Sequence, residues 1–136
     1  MSQPIWSAPV RYAEVDQQNI VFNAHYLTYC DEASTAYFRA AGLLGFAEGV
    51  RLVTSTITWR GSARWGDEVA VTARCTATGR TSVTFAFTIT ASGRPCCEVS
   101  TVYVYADASG VPQPIPDDVR ARLRGDQDRD TGAAAG

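Results

Sequence analysis

The chain has 136 residues, 46% hydrophobic and 19% charged, with a formal net charge of -2 at pH 7. That length can bury one core without metal or disulfide staples, and a slightly acidic balance provides no broad basic field for nucleic acid or a membrane surface. All twelve basic residues are arginine, so an anionic ligand would be met by local guanidinium groups. Cys30, Cys75, Cys96 and Cys97 are far apart or adjacent, which fits neither a metal pattern nor a disulfide framework and points to a reduced, cytoplasmic setting. The stretch from Met1 to Trp6 lacks the basic-then-apolar order of a targeting peptide, and no apolar run is long enough to cross a bilayer. A soluble, untargeted protein is expected.

Residues Trp6 to Val15 read as a strand, and Gln17-Gln18-Asn19 breaks the pattern just after Asp16. A helix follows. Tyr26, Tyr29, Cys30, Ala33, Tyr37 and Ala40 recur at steps of three and four, and Gly42 is placed to stop it. Asp16 therefore ends an extended segment just before a helix start. A carboxylate carried there can attack a carbonyl, or activate water against it, while the helix's free N–H groups hold the carbonyl oxygen. Asp is also common in turns for local hydrogen-bonding reasons, and spacing alone leaves both readings open.

Beyond Gly49 the hydrophobic period becomes two. Val53, Ile57 and Trp59 alternate with threonines, as do Val69, Val71, Ala73 and Cys75 with Ala70, Thr72, Arg74 and Thr76, and Val83, Phe85, Phe87 and Ile89 with Thr84, Ala86, Thr88 and Thr90. Thr78-Gly79 and Ser92-Gly93 read as hairpin turns, and Cys97, Val99, Thr101, Tyr103 and Tyr105 supply a last strand. The result is an α+β fold in which an antiparallel meander curves around one long helix. This domain is expected over residues 1–116. Residues 117–136 are charged and small, which predicts a short helix at most and then a disordered C-terminal tail.

The order strand, Asp loop, long helix, four strands resembles the hotdog fold. Ile20-Val21-Phe22-Asn23-Ala24-His25-Tyr26, leading to Asp31-Glu32-Ala33-Ser34-Thr35-Ala36-Tyr37-Phe38, is similar to the 4-hydroxybenzoyl-CoA thioesterase and bacterial acyl-CoA thioesterase family, as is the later Gly61-Ser62-Ala63-Arg64-Trp65-Gly66-Asp67-Glu68-Val69. The resemblance as a whole spans about residues 8 to 106. The resemblance implies that Asp16 is the nucleophile or general base and that the backbone N–H of Asn23 polarises the thioester carbonyl. Asn23-Ala24-His25-Tyr26 stands where relatives often carry His-Ala-Asn-Tyr, which puts the histidine's help to catalysis in question. Asn19 replaces the usual glycine, and it tolerates the left-handed conformation a tight loop needs.

Further site residues are expected around that pair. Tyr12, four residues before Asp16, would share its strand face and either donate to it or pack in the core with a solvated hydroxyl. His25, the only histidine, excludes a multi-histidine metal site; it is either a solvated first-turn residue or a donor lining the substrate pocket. Asp31 is either an exposed helix carboxylate or a group that meets a polar acyl chain. Arg60, Arg64 and Arg80 are candidates for the coenzyme A phosphates, with Arg80, after the Thr78-Gly79 turn, in the position the resemblance favours. No metal and no resident cofactor are expected, because coenzyme A is part of the substrate. The expected activity is acyl-CoA hydrolysis. The alternatives are hydrolysis of an acyl-carrier-protein thioester in a biosynthetic pathway, or a non-catalytic hotdog domain for ligand binding or assembly. The resemblance also implies a homo-oligomer, a dimer or a homotetramer built of dimers, with sheets joined edge to edge.

Overall fold

A computed structural model describes residues 3–124. Strand β1 spans Trp6–Pro9, helix α1 Ala24–Ala40, the short helix α2 Leu44–Ala47, and strands β2 to β5 span Val50–Trp59, Glu68–Thr78, Ser82–Ala91 and Arg94–Tyr105. The five strands form one antiparallel sheet in the order β1-β3-β4-β5-β2, with Trp6 opposite Val71 and Pro9 opposite Glu68. This is the hotdog arrangement expected from the sequence.

Local chemistry accounts for most boundaries. Gly42 stops α1 at a φ of 72°, a left-handed value that glycine adopts without the steric cost a Cβ imposes. Between β4 and β5, Ser92 and Gly93 both have positive φ, 47° and 83°, the signature of a two-residue turn whose twist matches its flanking strands. The first strand is shorter than expected. It ends at Pro9, and Tyr12–Glu14 form a 3-10 turn in place of the predicted extension to Val15. The cause is the Glu14 carboxylate, which accepts the Arg11 N–H at 2.9 Å. With the Glu14 N–H donating in return to the Arg11 carbonyl at 2.9 Å, that bond curls the chain.

Clustering of contacts separates two compact units. Among the described residues, the first comprises 3–37, 57–73 and 87–99, and the second comprises 38–56, 74–86 and 100–124. In the first unit the buried face of α1 presents Tyr26, Tyr29, Cys30 and Ala33. Tyr29 stacks on Trp6 at 5.6 Å, and Tyr26 meets Trp59 edge-on at 5.1 Å. Val69, Val71, Phe87 and Ile89 are almost wholly buried in this unit, each contributing about 1.5–3 kcal/mol relative to exposure.

In the second unit Phe38 packs edge-on against Phe46 and Phe85, and Phe46 stacks on Tyr105 at 4.7 Å. The helix face expected to run through Tyr37 and Ala40 is shifted by one residue there: Phe38 is buried and Ala40 is exposed. Residues 117–124, where the sequence allowed a short helix, are helical, and Val119 and Leu123 are buried; the stretch expected to be a disordered tail beyond them lies outside the described residues. Arg122 donates to the carbonyls of Ala41 and Gly42 at 2.7 and 3.3 Å, satisfying acceptors that the end of α1 leaves free.

β2 lies at the sheet edge beside β5. Its Leu52, Val53 and Trp59 are 52%, 60% and 45% exposed.

Tyr26 carries a testable consequence. It is almost fully buried, and its hydroxyl accepts the N–H of Ala63, itself fully buried, at 2.9 Å. Tyr26→Phe removes the acceptor while keeping the ring, and is expected to cost about 1–3 kcal/mol. Urea unfolding should show a lower midpoint at an unchanged slope, whereas a wild-type midpoint would mean that this bond contributes nothing to stability.

Candidate active site

The stretch from Arg11 to Tyr29 builds the site. After the 3-10 turn, Val15 bridges to Val21 in antiparallel fashion, and the loop between them closes on itself: Asp16 N–H donates to the Ile20 carbonyl at 2.9 Å, and Asn19 N–H to the Asp16 carbonyl at 3.0 Å. Asn19 adopts a φ of 60°, so asparagine does supply the left-handed residue the turn needs. The Asp16 carboxylate accepts the Gln18 N–H at 2.8 Å, which uses only part of its acceptor capacity. The far arm of the loop is held by a neighbouring segment, Val21 donating to the Ala63 carbonyl at 2.8 Å and Ile20 bridging to Arg64.

That arm runs directly into α1. Phe22 N–H donates to the Glu14 carbonyl at 2.9 Å, and the first helical turn begins with His25 N–H bonded to the Phe22 carbonyl at 2.9 Å. The N–H of Asn23 forms no hydrogen bond with another described residue. It belongs to the set of donors that a helix start leaves unpaired, at the positive end of the helix dipole.

Asp16 is exposed and lines a solvent-open cleft of about 580 Å³ together with Tyr12, Val15, Gln17 and Asn19. Two expected members, Tyr12 and Asp16, thus share one cleft, but not as predicted. Tyr12 sits in the 3-10 turn, 77% exposed, with its ring edge-on to Trp65 at 5.9 Å, and among the described residues no hydrogen bond joins it to Asp16. The turn imposed by Glu14 destroys the alternation on which a shared strand face depended.

His25 is half-buried, its ring 6.3 Å from that of Phe22, and Asp31 is exposed on α1; neither lines the cleft. Partial burial, and then neighbouring Glu32, pushes the Asp31 carboxyl above its ordinary value. Arg80 is exposed in the β3–β4 turn, its carbonyl accepting Ile115 N–H at 3.0 Å and an Arg120 Nη2 at 3.3 Å. Of the other arginine candidates, Arg60 is paired with Glu98 at 2.8 Å. The backbone N–H of Arg64 is held by Asp67, whose carboxyl is drawn below its ordinary value chiefly by the hydrogen bond from Arg94. No three His, Cys, Asp or Glu side chains gather to hold a metal ion among the described residues.

Sequence reasoning missed Glu14, Tyr29 and Trp65. Glu14 had no recognisable local signal, because Arg11 lacks the N-cap hydroxyl of a capping box. The partnership of Glu14 with Tyr29, and of Trp65 with Tyr12, joins distant segments and has no local signature.

Asn23 is not among the residues that line the cleft; chemically, an exposed carboxylate in the loop that leads into free helix-start N–H groups fits attack at a carbonyl carbon. Comparison with known proteins bears on that chemistry. No curated protein matches the chain. Among solved structures, a thioesterase from Thermus thermophilus crystallised with coenzyme A and Zn is 26% identical, with a TM-score of 0.84 over 93% of this chain and 98% of that one. A 1,4-dihydroxy-2-naphthoyl-CoA thioesterase from Synechocystis is 18% identical, with a TM-score of 0.77 over 88% and 93%, and a gentisyl-coenzyme A thioesterase is 20% identical, with a TM-score of 0.77 over 88% and 98%. The family model described as the Thioesterase superfamily matches residues 18–98, more than half the chain, starting just beyond Asp16. This protein belongs to the Thioesterase superfamily and is a thioester hydrolase.

Proposed function

We propose that the protein hydrolyses acyl-CoA thioesters, with Asp16 as nucleophile or general base and the Asn23 N–H as oxyanion donor. The observation that carries this reading is the hairpin itself: one arm presents an exposed carboxylate to an open cleft, and the other becomes the unpaired N–H end of α1. Either the Asp16 oxygen or a water it deprotonates adds to the carbonyl carbon. The Asn23 N–H stabilises the oxygen as it gains charge, the carbon–sulfur bond breaks, and the electron pair leaves on the thiolate. If Asp16 attacks directly, water then cleaves the resulting anhydride. The scheme uses this chain's own groups and no resident cofactor. The Thermus relative's bound coenzyme A supports coenzyme A as the leaving thiol, and four free thiols support a reducing, cytoplasmic setting.

Asp16→Asn preserves shape and polarity but removes the nucleophilic or basic charge, so kcat should fall at least about a hundredfold with the fold intact. A thiol-trapping assay on aromatic, short and long acyl-CoAs tests this. Near wild-type kcat would take Asp16 out of the mechanism.

We further assign Arg80 to the coenzyme A phosphates, and His25 and Asp31, on the first turns of α1, to a polar acyl group. One substrate panel tests two of these assignments. Arg80→Ala should raise KM for acyl-CoA yet leave a short acyl thioester without the nucleotide unaffected, because the phosphates are remote from the reacting carbon. Asp31→Ala should erase a preference for hydroxybenzoyl over benzoyl thioesters, since a site built to bond a hydroxyl rejects the analogue lacking it. An equal loss for Arg80→Ala on the truncated substrate, or no hydroxybenzoyl preference in the wild type, would contradict them.

The exposed apolar side chains of edge strand β2 support assembly by edge-to-edge pairing, as a dimer or a tetramer built of dimers. Light scattering at micromolar concentration should give a multiple of the 14.6 kDa chain mass, and a monomer mass would refute the assembly.

A further inference from the structure

Asp16's own side-chain bond stays inside its loop, at the Gln18 N–H. Such a bond shapes the loop but does not place it on the helix. Placement comes from Glu14, two residues earlier. One carboxylate oxygen of Glu14, Oε1, accepts the Arg11 N–H at 2.9 Å and the Tyr29 hydroxyl at 2.9 Å. Its main chain is fastened as well, the N–H to the Arg11 carbonyl and the carbonyl to Phe22 N–H, both at 2.9 Å. Glu14 therefore joins the turn that precedes Asp16, the segment that leads to Asn23, and the body of α1.

Tyr29 is a firm anchor. It is 3% exposed, with its ring stacked on Trp6 and edge-on to Tyr26 at 5.8 Å. Burial, and then the bond to Glu14, pushes its phenol far above the ordinary value. The hydroxyl thus remains a donor throughout the working pH range.

We infer that Glu14, held by the Tyr29 hydroxyl, is a positioning residue that sets where the Asp16 carboxylate stands relative to the Asn23 N–H, without touching substrate. The inference rests on Asp16 being the catalytic carboxylate. Attack requires reacting atoms about 3–3.5 Å apart, and a displacement of about 1 Å can cost about a hundredfold in rate.

Three variants of the full chain separate positioning from other roles. Tyr29→Phe keeps the ring and its stacking but removes the donor, Glu14→Ala removes the acceptor, and Glu14→Gln keeps an oxygen able to accept both bonds. Tyr29→Phe and Glu14→Ala should each lower kcat at least about tenfold with KM within about threefold, while Glu14→Gln stays within about threefold of wild type. Combining Tyr29→Phe with Glu14→Ala should be no slower than the slower single variant, because both delete the same bond. Melting curves establish folding, and if Tyr29→Phe is unfolded at the assay temperature, the contrast between Glu14→Gln and Glu14→Ala decides. Wild-type kcat in folded Tyr29→Phe overturns the inference. So does Glu14→Gln as slow as Glu14→Ala, which would give the Glu14 charge a direct role. Full activity in Asp16→Asn would instead remove the underlying reading of the site, whereas an inactive Asp16→Asn beside a fast Tyr29→Phe removes only the positioning role.

Discussion

A buried phenol needs a hydrogen-bond partner, because leaving a polar group unpaired away from water costs about 1–3 kcal/mol. Tyr26 and Tyr29 lie one turn apart on α1, both nearly inaccessible, and each meets that requirement outside the helix: Tyr26 through the Ala63 N–H, Tyr29 through the Glu14 carboxylate. Their rings sit in a column from Trp6 through Tyr29 and Tyr26 to Trp59. The helix is thereby tied to the two segments that frame the Asp16 loop, the 3-10 turn on one side and residues 61–64 on the other. The loop can be short, polar and exposed because its supports are not.

The 61–64 segment owes its course to a break in strand pairing. The Cys96 carbonyl accepts the N–H groups of both Arg60 and Gly61, at 2.7 and 3.0 Å. Two residues thus oppose one, which bends the chain as a bulge does. Gly61 is required there, since a Cβ would come within 2.9 Å of the Pro95 carbonyl oxygen. Beyond the bend, Ala63 serves both sides at once, donating to Tyr26 and accepting from Val21. The next turn is braced by Asp67, which takes the Arg64 N–H and an Arg94 Nη2 at 2.8 and 2.7 Å. It carries Trp65 to the edge of Tyr12 at the cleft.

Much of this architecture was legible in the residues. Strand and helix periods, the glycine that stops α1, the Ser92-Gly93 turn and the left-handed Asn19 all follow from preferences acting over a few residues, where chain geometry leaves few alternatives. Within the site, the Asp16 loop and the helix start at Asn23 were legible for the same reason. The first strand was misjudged because one side chain, Glu14, competes for a backbone N–H that alternation assigns to the sheet.

The sequence by itself determined the order of elements, the antiparallel meander around one long helix, and a loop carboxylate carried a few residues ahead of a helix start. Tertiary structure decided which of the polar residues nearby share the cleft. Tyr12 lines it through a turn rather than a strand, His25 and Asp31 stay outside it, and Leu52 and Val53 remain exposed because β2 falls at the sheet edge. Periodicity reports which side chains share a face but not what lies opposite. A bond such as that between Glu14 and Tyr29, fifteen residues apart, exists only once the helix has packed and its buried hydroxyl must find a partner.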